Sequence, residues 1–454
     1  MVRVCSNDFK LLDTAILIFL ILFHAVSVSG QHLRSHVHHS GYHCTEEEIA
    51  YQFEYIDLVW PSICDSPTIW RLAQLAIPDA NVFIDVGGNR GYTAAKIFGL
   101  WTPGHNLNRR SLKRSILEDS EKYTYINKNN LDTVCGDGGT EDLAVFCIGG
   151  SQLYNFACQH RRSIKVFSFD GQFLHINNTR DTIYRHFPEL HPNTSEYTGL
   201  KSSWEYIHAA MVGPSFENYT YGYFSSVTDE SGALRKWKQG DIIPEKSSIV
   251  PLLTVDQFVK NRGIKTVDVL KVDAEGMDDE VIKGAYKTLH YHHVKMIEFE
   301  CFECGVDRWQ KLFKVLDLNY GFDCYLAGPF NLLVRITNCW NNSLAYDIKR
   351  PLCAQKAEAG YFNCTEERVA DQRLAGNGYC AHRYRASALA KMFDDMSLYR
   401  YSSYRRGDIF TDALISVGTE FKDNKRLGVE FYSAEGLKRR SGRDHKKNFT
   451  KTWW

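Results

Sequence analysis

The sequence predicts an α/β fold, a mostly parallel sheet with helices on both faces. Short apolar runs at Val82 to Val86, Ile164 to Phe169, Val267 to Val272 and Val294 to Phe299 alternate with helical stretches at Tyr92 to Leu100, Asp278 to Leu289 and Trp309 to Leu318. The runs are apolar on both faces, as in strands covered on two sides. The first run passes through a glycine-rich turn straight into a helix, the strand–turn–helix unit of ligand-binding sheets.

The 454 residues are 44% hydrophobic and 24% charged, enough apolar material for one large core. Formal net charge is zero, so there is no electrostatic case for a nucleic-acid partner. At the N-terminus, a short charged start precedes an apolar stretch from Thr14 to Val28 that exits through Ser29 and Gly30. Residues 1–30 therefore read as a signal peptide or as a signal-anchor of type II orientation. The stretch is shorter than the ~20 apolar residues of a full span, although thinner early secretory membranes leave the single-span anchor open. Of thirteen cysteines, Cys5 precedes this stretch and twelve follow, an even number suited to pairing in an oxidising compartment. Six N-x-S/T sequons, at Asn177, Asn193, Asn218, Asn341, Asn363 and Asn448, also follow it. The expected location is the secretory pathway: the Golgi lumen, the cell surface or the exterior.

Residues 31–78 form a His- and Ser-rich stalk and an N-terminal helical segment. That segment's helix starts at Thr45, with Glu48 at capping-box spacing. The sheet domain occupies residues 79–337. Strands at Tyr206 to Val212, and a closing pair at Phe322 to Leu326 and Leu332 to Ile336, complete it. Residues 101–163 exceed what a crossover needs. With Cys135, Cys147 and Cys158 they read as a disulfide-pinned surface insertion, and its basic run Arg109 to Arg114 as solvated. Residues 338–454 read as a separate, cysteine-braced extension. The segment Cys44 to Ala50 echoes Cys364 to Ala370, too short to establish a repeat. Cys301 and Cys304 have C-x-x-C spacing without a second pair for zinc, so a disulfide role is expected and no metal site.

Asp85 ends the first strand and Gly87, Gly88, Asn89 and Gly91 make the turn after it. Glycines let a ligand approach the backbone, and the following helix start offers unpaired N–H groups. The spacing does not match G-x-G-x-x-G, and an acid before the turn repels a pyrophosphate, which argues against a nicotinamide oxidoreductase. It suits a cationic ligand such as S-adenosylmethionine, whose own carboxylate can take the helix N–H groups. Asp170, ending the second strand, is placed to accept from ribose hydroxyls. Lys271, Asp273 and Glu275 stand two apart at the end of a buried strand, sharing a face. Three charges there are poorly explained by packing. Asp273 is the expected base, Lys271 its orienting partner and Glu275 a weaker candidate; Glu298 and Glu300 are expected to complete an acceptor wall. Asp273 and Glu275 are alternatively a pair that Mg²⁺ or Ca²⁺ would take.

Five segments together, IDVGGNRGYTA, VFSFDGQ, LLTVDQFV, VDVLKVDAEGMDDEVIKGA and VKMIEFE, resemble the FkbM-type methyltransferases over residues 81 to 336, apart from the insertion. The resemblance implies a Rossmann-like class I methyltransferase sheet, S-adenosylmethionine as donor and a hydroxyl oxygen as acceptor, on a small molecule or a glycan. The chain departs from the family pattern at Asp170-Gly171, which replaces Glu-Pro, and at Gly88, which replaces alanine. The alternative from another class is a non-catalytic secreted or cell-surface binding protein with this fold.

Overall fold

The computed structural model describes residues 43–50, 52, 67–102, 107–119, 163–192, 202–224, 234–245, 247–300, 306–327, 333–339 and 377–397. The N-terminal apolar run, the stalk, Cys135, Cys147, Cys158, the Cys301/Cys304 pair, the second copy of the Cys44 echo and the basic tail all lie outside the described residues. No helix among the described residues is long and apolar enough to cross a membrane.

The chain enters the main sheet with β1 (Val82–Val86), β2 (Lys165–Asp170) and β3 (Ser203–His208). It then crosses into a smaller sheet built from β4 (Ala210–Met211), β5 (Tyr221–Phe224), β6 (Leu234–Trp237) and β7 (Ser248–Leu253), and returns with β8 (Val269–Val272) and β9 (Met296–Glu300). The last strands are β10 (Phe322–Ala327), β11 (Leu333–Arg335) and β12 (Asn377–His382). The main sheet has the order β11-β10-β12-β9-β8-β1-β2-β3. Strands β3, β2, β1, β8 and β9 are mutually parallel. Strand β12 runs antiparallel to both its neighbours, and β11 runs antiparallel to β10. The chain moves outward from β1 to β3, then returns to β8 on the other side of β1. The β1/β8 crevice is thus the topological switch point, where ligands of open α/β sheets bind.

Helices cover both faces because both carry apolar rows. On one side Phe83, Val166, Trp204, Val269, Met296 and Tyr379 pack beneath α1 (Pro67–Ala76), α2 (Tyr92–Trp101), α3 (Arg109–Asp119), α4 (Phe173–His186) and a late helix, Ser387–Asp395. On the other, Ile84, Val86, Phe169, Leu270, Val272 and Ile297 meet α5 (Val255–Asn261), α6 (Asp278–Lys283), α7 (Tyr286–Tyr291) and α8 (Val306–Tyr320). The late helix is α9. Thr45 and Glu48 make the expected capping box: each backbone N–H donates to the other's side chain, at 2.8 and 3.2 Å.

Four expectations about elements change. Residues 377–397 are no separate extension: β12 lies inside the main sheet and α9 packs on α1, because Tyr379 and Ala381 on one face and Cys380 on the other need burial on both sides. Disulfide Cys324–Cys380 joins β10 to β12, and Cys44–Cys339 ties the N-terminal helix to the end of β11. The insertion expected over 101–163 begins inside the core: Arg109 to Arg114 opens α3, whose Leu112 and Ile116 are buried against α2 and α4, while the basic side chains of the run are half-buried or exposed. The helix expected over 278–289 breaks at Gly284 into α6 and α7, where the backbone of Val212 and Gly213 passes close by. The strand expected over 206–212 switches sheets at Ala209, whose N–H donates back to Asp170 O at 3.1 Å.

Candidate functional site

Parallel strands in register put equivalent residues on one face. Tyr206, Ser168, Asp85, Lys271 and Glu298 form such a row across five adjacent strands, on the side covered by α1 and α2. Two residues further along, on the same face at the carboxyl end, stand His208, Asp170, Gly87, Asp273 and Glu300. The inner row is buried and the outer row borders the crevice.

The turn after β1 is fixed by close approach. Gly87 has φ 74°, and a Cβ there would lie 1.7 Å from the Asp273 carbonyl oxygen. Gly91, at φ 77°, caps α2, and a Cβ there would lie 2.4 Å from the Trp204 ring. An L side chain is disfavoured at both by conformation and by space. The N–H groups of Gly87 and Gly88 both donate to Phe169 O, at 2.9 and 2.8 Å, and the buried Tyr206 hydroxyl donates to Asn89 O. The start of α2 has no side-chain cap, leaving that end of the helix suited to an anionic group.

Asp85 lies beneath this turn, fully buried. Its Oδ2 accepts from Ser168 Oγ at 3.0 Å, and Lys271 Nζ is 3.5 Å from its Oδ1. The expectation that Asp85 offers a carboxylate to a ligand meets a different placement: its charge faces Lys271 inside the protein, and it supports the turn from below. Lys271, also buried, donates from Nζ to Asp273 Oδ2 at 3.0 Å and reaches Gly87 O at 3.5 Å. One ammonium thus links the first strand end, the turn and the expected base.

Asp170 sits beside the turn. Its Oδ2 accepts from Asn89 N–H and its Oδ1 from Gln172 N–H, both at 2.8 Å. Burial, and then the charges of Asp85 and Asp273, push its carboxyl up to about 6 against those two hydrogen bonds. Next to it, His208 Nε2 lies 3.1 Å from Gly171 O and its ring meets Phe173 edge-on; burial lowers its proton affinity. Glu275 is exposed, with φ 49°, in the turn that follows Asp273.

The two wall glutamates separate. Glu298 is not on the wall: it is buried in the inner row, where its Oε1 accepts from Trp70 Nε1 at 3.1 Å. Glu300 stands at the crevice and contacts Asp273. Burial, followed by the neighbouring Asp273, Asp278 and Glu275 carboxylates, pushes it up to about 9. Asp278, fully buried at the start of α6, accepts from Ala274 N–H at 3.3 Å and from Glu300 N–H at 3.1 Å. Burial raises its carboxyl well above the usual range. Ser168, Tyr206 and Asp278 were not singled out from sequence, since only the register and the packing reveal what they touch. Among the described residues no group of three or more His, Cys, Asp or Glu converges on a metal-ligating geometry. The Lys271 ammonium on Asp273 also opposes a divalent cation there.

A doubly wound sheet with a glycine turn and a row of carboxylates at its switch point is a Rossmann-like arrangement, the class of sheet whose ligands sit in such a crevice. The family is narrower than the fold. The family model described as Methyltransferase FkbM domain matches residues 85–323, just over half of the chain, and the chain belongs to that family. It carries a methyltransferase domain. No curated protein and no solved structure matches it.

Proposed function

We propose that the protein is an S-adenosylmethionine-dependent methyltransferase acting on a hydroxyl oxygen, of a glycan or a small molecule, in the lumen of the secretory pathway or outside the cell. The observation that carries the proposal is the contact between Gly87 and Asp273, which brings the ligand-binding turn and the expected base to one point of the crevice.

The residues fit the donor. Asp170, held by Asn89 and Gln172, keeps lone pairs for ribose hydroxyls. The uncapped start of α2 suits the donor's carboxylate, and the carboxylates of Asp170 and Asp273 beside the turn favour its cationic centre. When bound, the donor supplies the methyl group to the acceptor oxygen. The chain orients both reactants, to which alignment contributes up to ~7–11 kcal/mol in ideal cases. Asp273 takes the hydroxyl proton, worth roughly 10²–10⁴-fold, with Lys271 fixing its orientation at 3.0 Å. Two disulfides in the described fold support an oxidising location. Of the two sequons among the described residues, Asn218 is exposed in a turn before β5, whereas Asn177 lies within α4.

The test is calorimetric titration of S-adenosylmethionine into the glycosylated protein, followed by a screen of hydroxyl acceptors with labelled methyl donor. Wild type and Asp273→Asn should bind the donor, Asp170→Ala should not, and Asp273→Asn should lose turnover. A folded wild-type protein that binds no donor would instead be a non-catalytic binding protein.

A further inference from the structure

We propose that Glu300 is a positioning residue: it carries a proton at working pH and donates it as a hydrogen bond to the carboxylate of Asp273. The catalytic consequence rests on the methyltransferase proposal above, whereas the protonation state does not.

The placement follows from the register. Strands β8 and β9 pair Lys271 with Glu298 and Val272 with Phe299, so residue 300 falls beside residue 273 on the same face. The end of β9 is held there from two sides. Buried Asn377 of β12 pairs with Glu300 across the ladder. Asp278 accepts both the Glu300 and the Ala274 N–H, tying the end of β9 to the turn that follows Asp273. Two carboxyl groups in contact cannot both ionise without a large penalty, so the pair retains a proton.

The surroundings decide which group keeps it. Asp273 has the Lys271 ammonium at 3.0 Å. Among the described residues, Glu300 faces Asp273 and Glu275 from β8 and its turn, Asp278 from α6 and the neutral Asn377 from β12. The Arg308 guanidinium of α8 is directed to Asp279, at 3.2 Å, and to Gly276 O. The ammonium stabilises negative charge on Asp273, and burial together with that neighbouring carboxylate places the proton on Glu300. Its elevated proton affinity, about 9, agrees. Asp273 is then held between an ammonium and a carboxyl O–H, which leaves its other lone pairs for the acceptor hydroxyl.

Infrared difference spectroscopy of wild type minus Glu300→Gln tests the proton directly, with or without a known acceptor. A protonated-carboxyl C=O band should be present near neutral pH and vanish as pH rises through about 9. Absence of that band near neutral pH overturns the proposal even if the enzyme is an active methyltransferase. The band in a protein without methyltransferase activity overturns the proposed function and the positioning role while leaving the proton assignment standing. With an acceptor in hand, Glu300→Leu should lower kcat about tenfold or more with donor affinity unchanged. Glu300→Gln, which still donates, should recover most of that loss and flatten the alkaline limb of the pH profile. Equal losses in the two variants, or no loss in either, overturn the positioning role.

Discussion

Lys271 and Asp85 form a buried ion pair, Nζ to Oδ1 at 3.5 Å, directly beneath the glycine turn of the candidate site. Removing the cation leaves a fully buried carboxylate without its ammonium, although Ser168 still donates to it. Breaking a buried pair from one side costs about 3–5 kcal/mol. Lys271→Met should therefore lower unfolding free energy by about that much in chemical denaturation, and adding Asp85→Asn should recover more than half of it. A Lys271→Met protein as stable as wild type would mean that the pair does not support the turn.

Glycines in adjoining elements should respond oppositely to a methyl group. Gly87→Ala places a Cβ 1.7 Å from Asp273 O at φ 74°, and should abolish donor binding in calorimetry. Gly99→Ala, inside α2 with nothing closer than 3.6 Å, should stabilise the protein by roughly 0.5–1 kcal/mol through helix propensity.

Asp170 gives the site a pH signature. Its carboxyl, normally near 3.8, is raised to about 6 in the folded chain, chiefly by burial. Between these values the folded state binds more protons than the unfolded state, so this group's contribution to stability falls as pH rises through the window. Asp170→Asn removes that term. The variant's stability relative to wild type should improve by up to about 3 kcal/mol as pH rises from below 3.8 to neutral, while donor affinity is lost. A pH-independent difference in thermal denaturation would place the native carboxyl at its ordinary value.

Cys324 and Cys380 face each other across β10 and β12, 56 residues apart in sequence. Closing a loop of that length stabilises by about 4 kcal/mol in the chain-entropy model. Reductant, or the paired Cys324→Ser and Cys380→Ser change, should lower the melting temperature by several degrees and expose β12 to hydrogen exchange before β8 and β9. Unchanged exchange of β12 would show that packing alone retains it.

Much of the site was legible residue by residue. Val82 to Val86 reads as a strand because it is apolar on both faces, and Gly87 to Gly91 as a turn because glycines precede a helical pattern. Asp85, Asp170, Lys271 and Asp273 stand out because charge at the end of an apolar strand needs a reason. Their grouping around one crevice follows from the strand–turn–helix pattern. The roles within the group were less legible. Asp85 and Glu298 look like crevice residues in sequence, yet both belong to the inner row, where Lys271 and Trp70 meet them. Glu300, written two letters further on, belongs to the outer row and meets Asp273.

The sequence by itself determined the parallel α/β core, the turn and the chemical identity of the groups at the strand ends, because these depend on local periodicity and backbone conformation. Only the tertiary structure decided that residues 377–382 insert beside β9, that α3 belongs to the core and that Lys271 bridges Asp85 to Asp273. Those outcomes depend on strand order, register and disulfide pairing. Each is a contact between segments tens to hundreds of residues apart, fixed by the burial of faces that no single segment can cover alone.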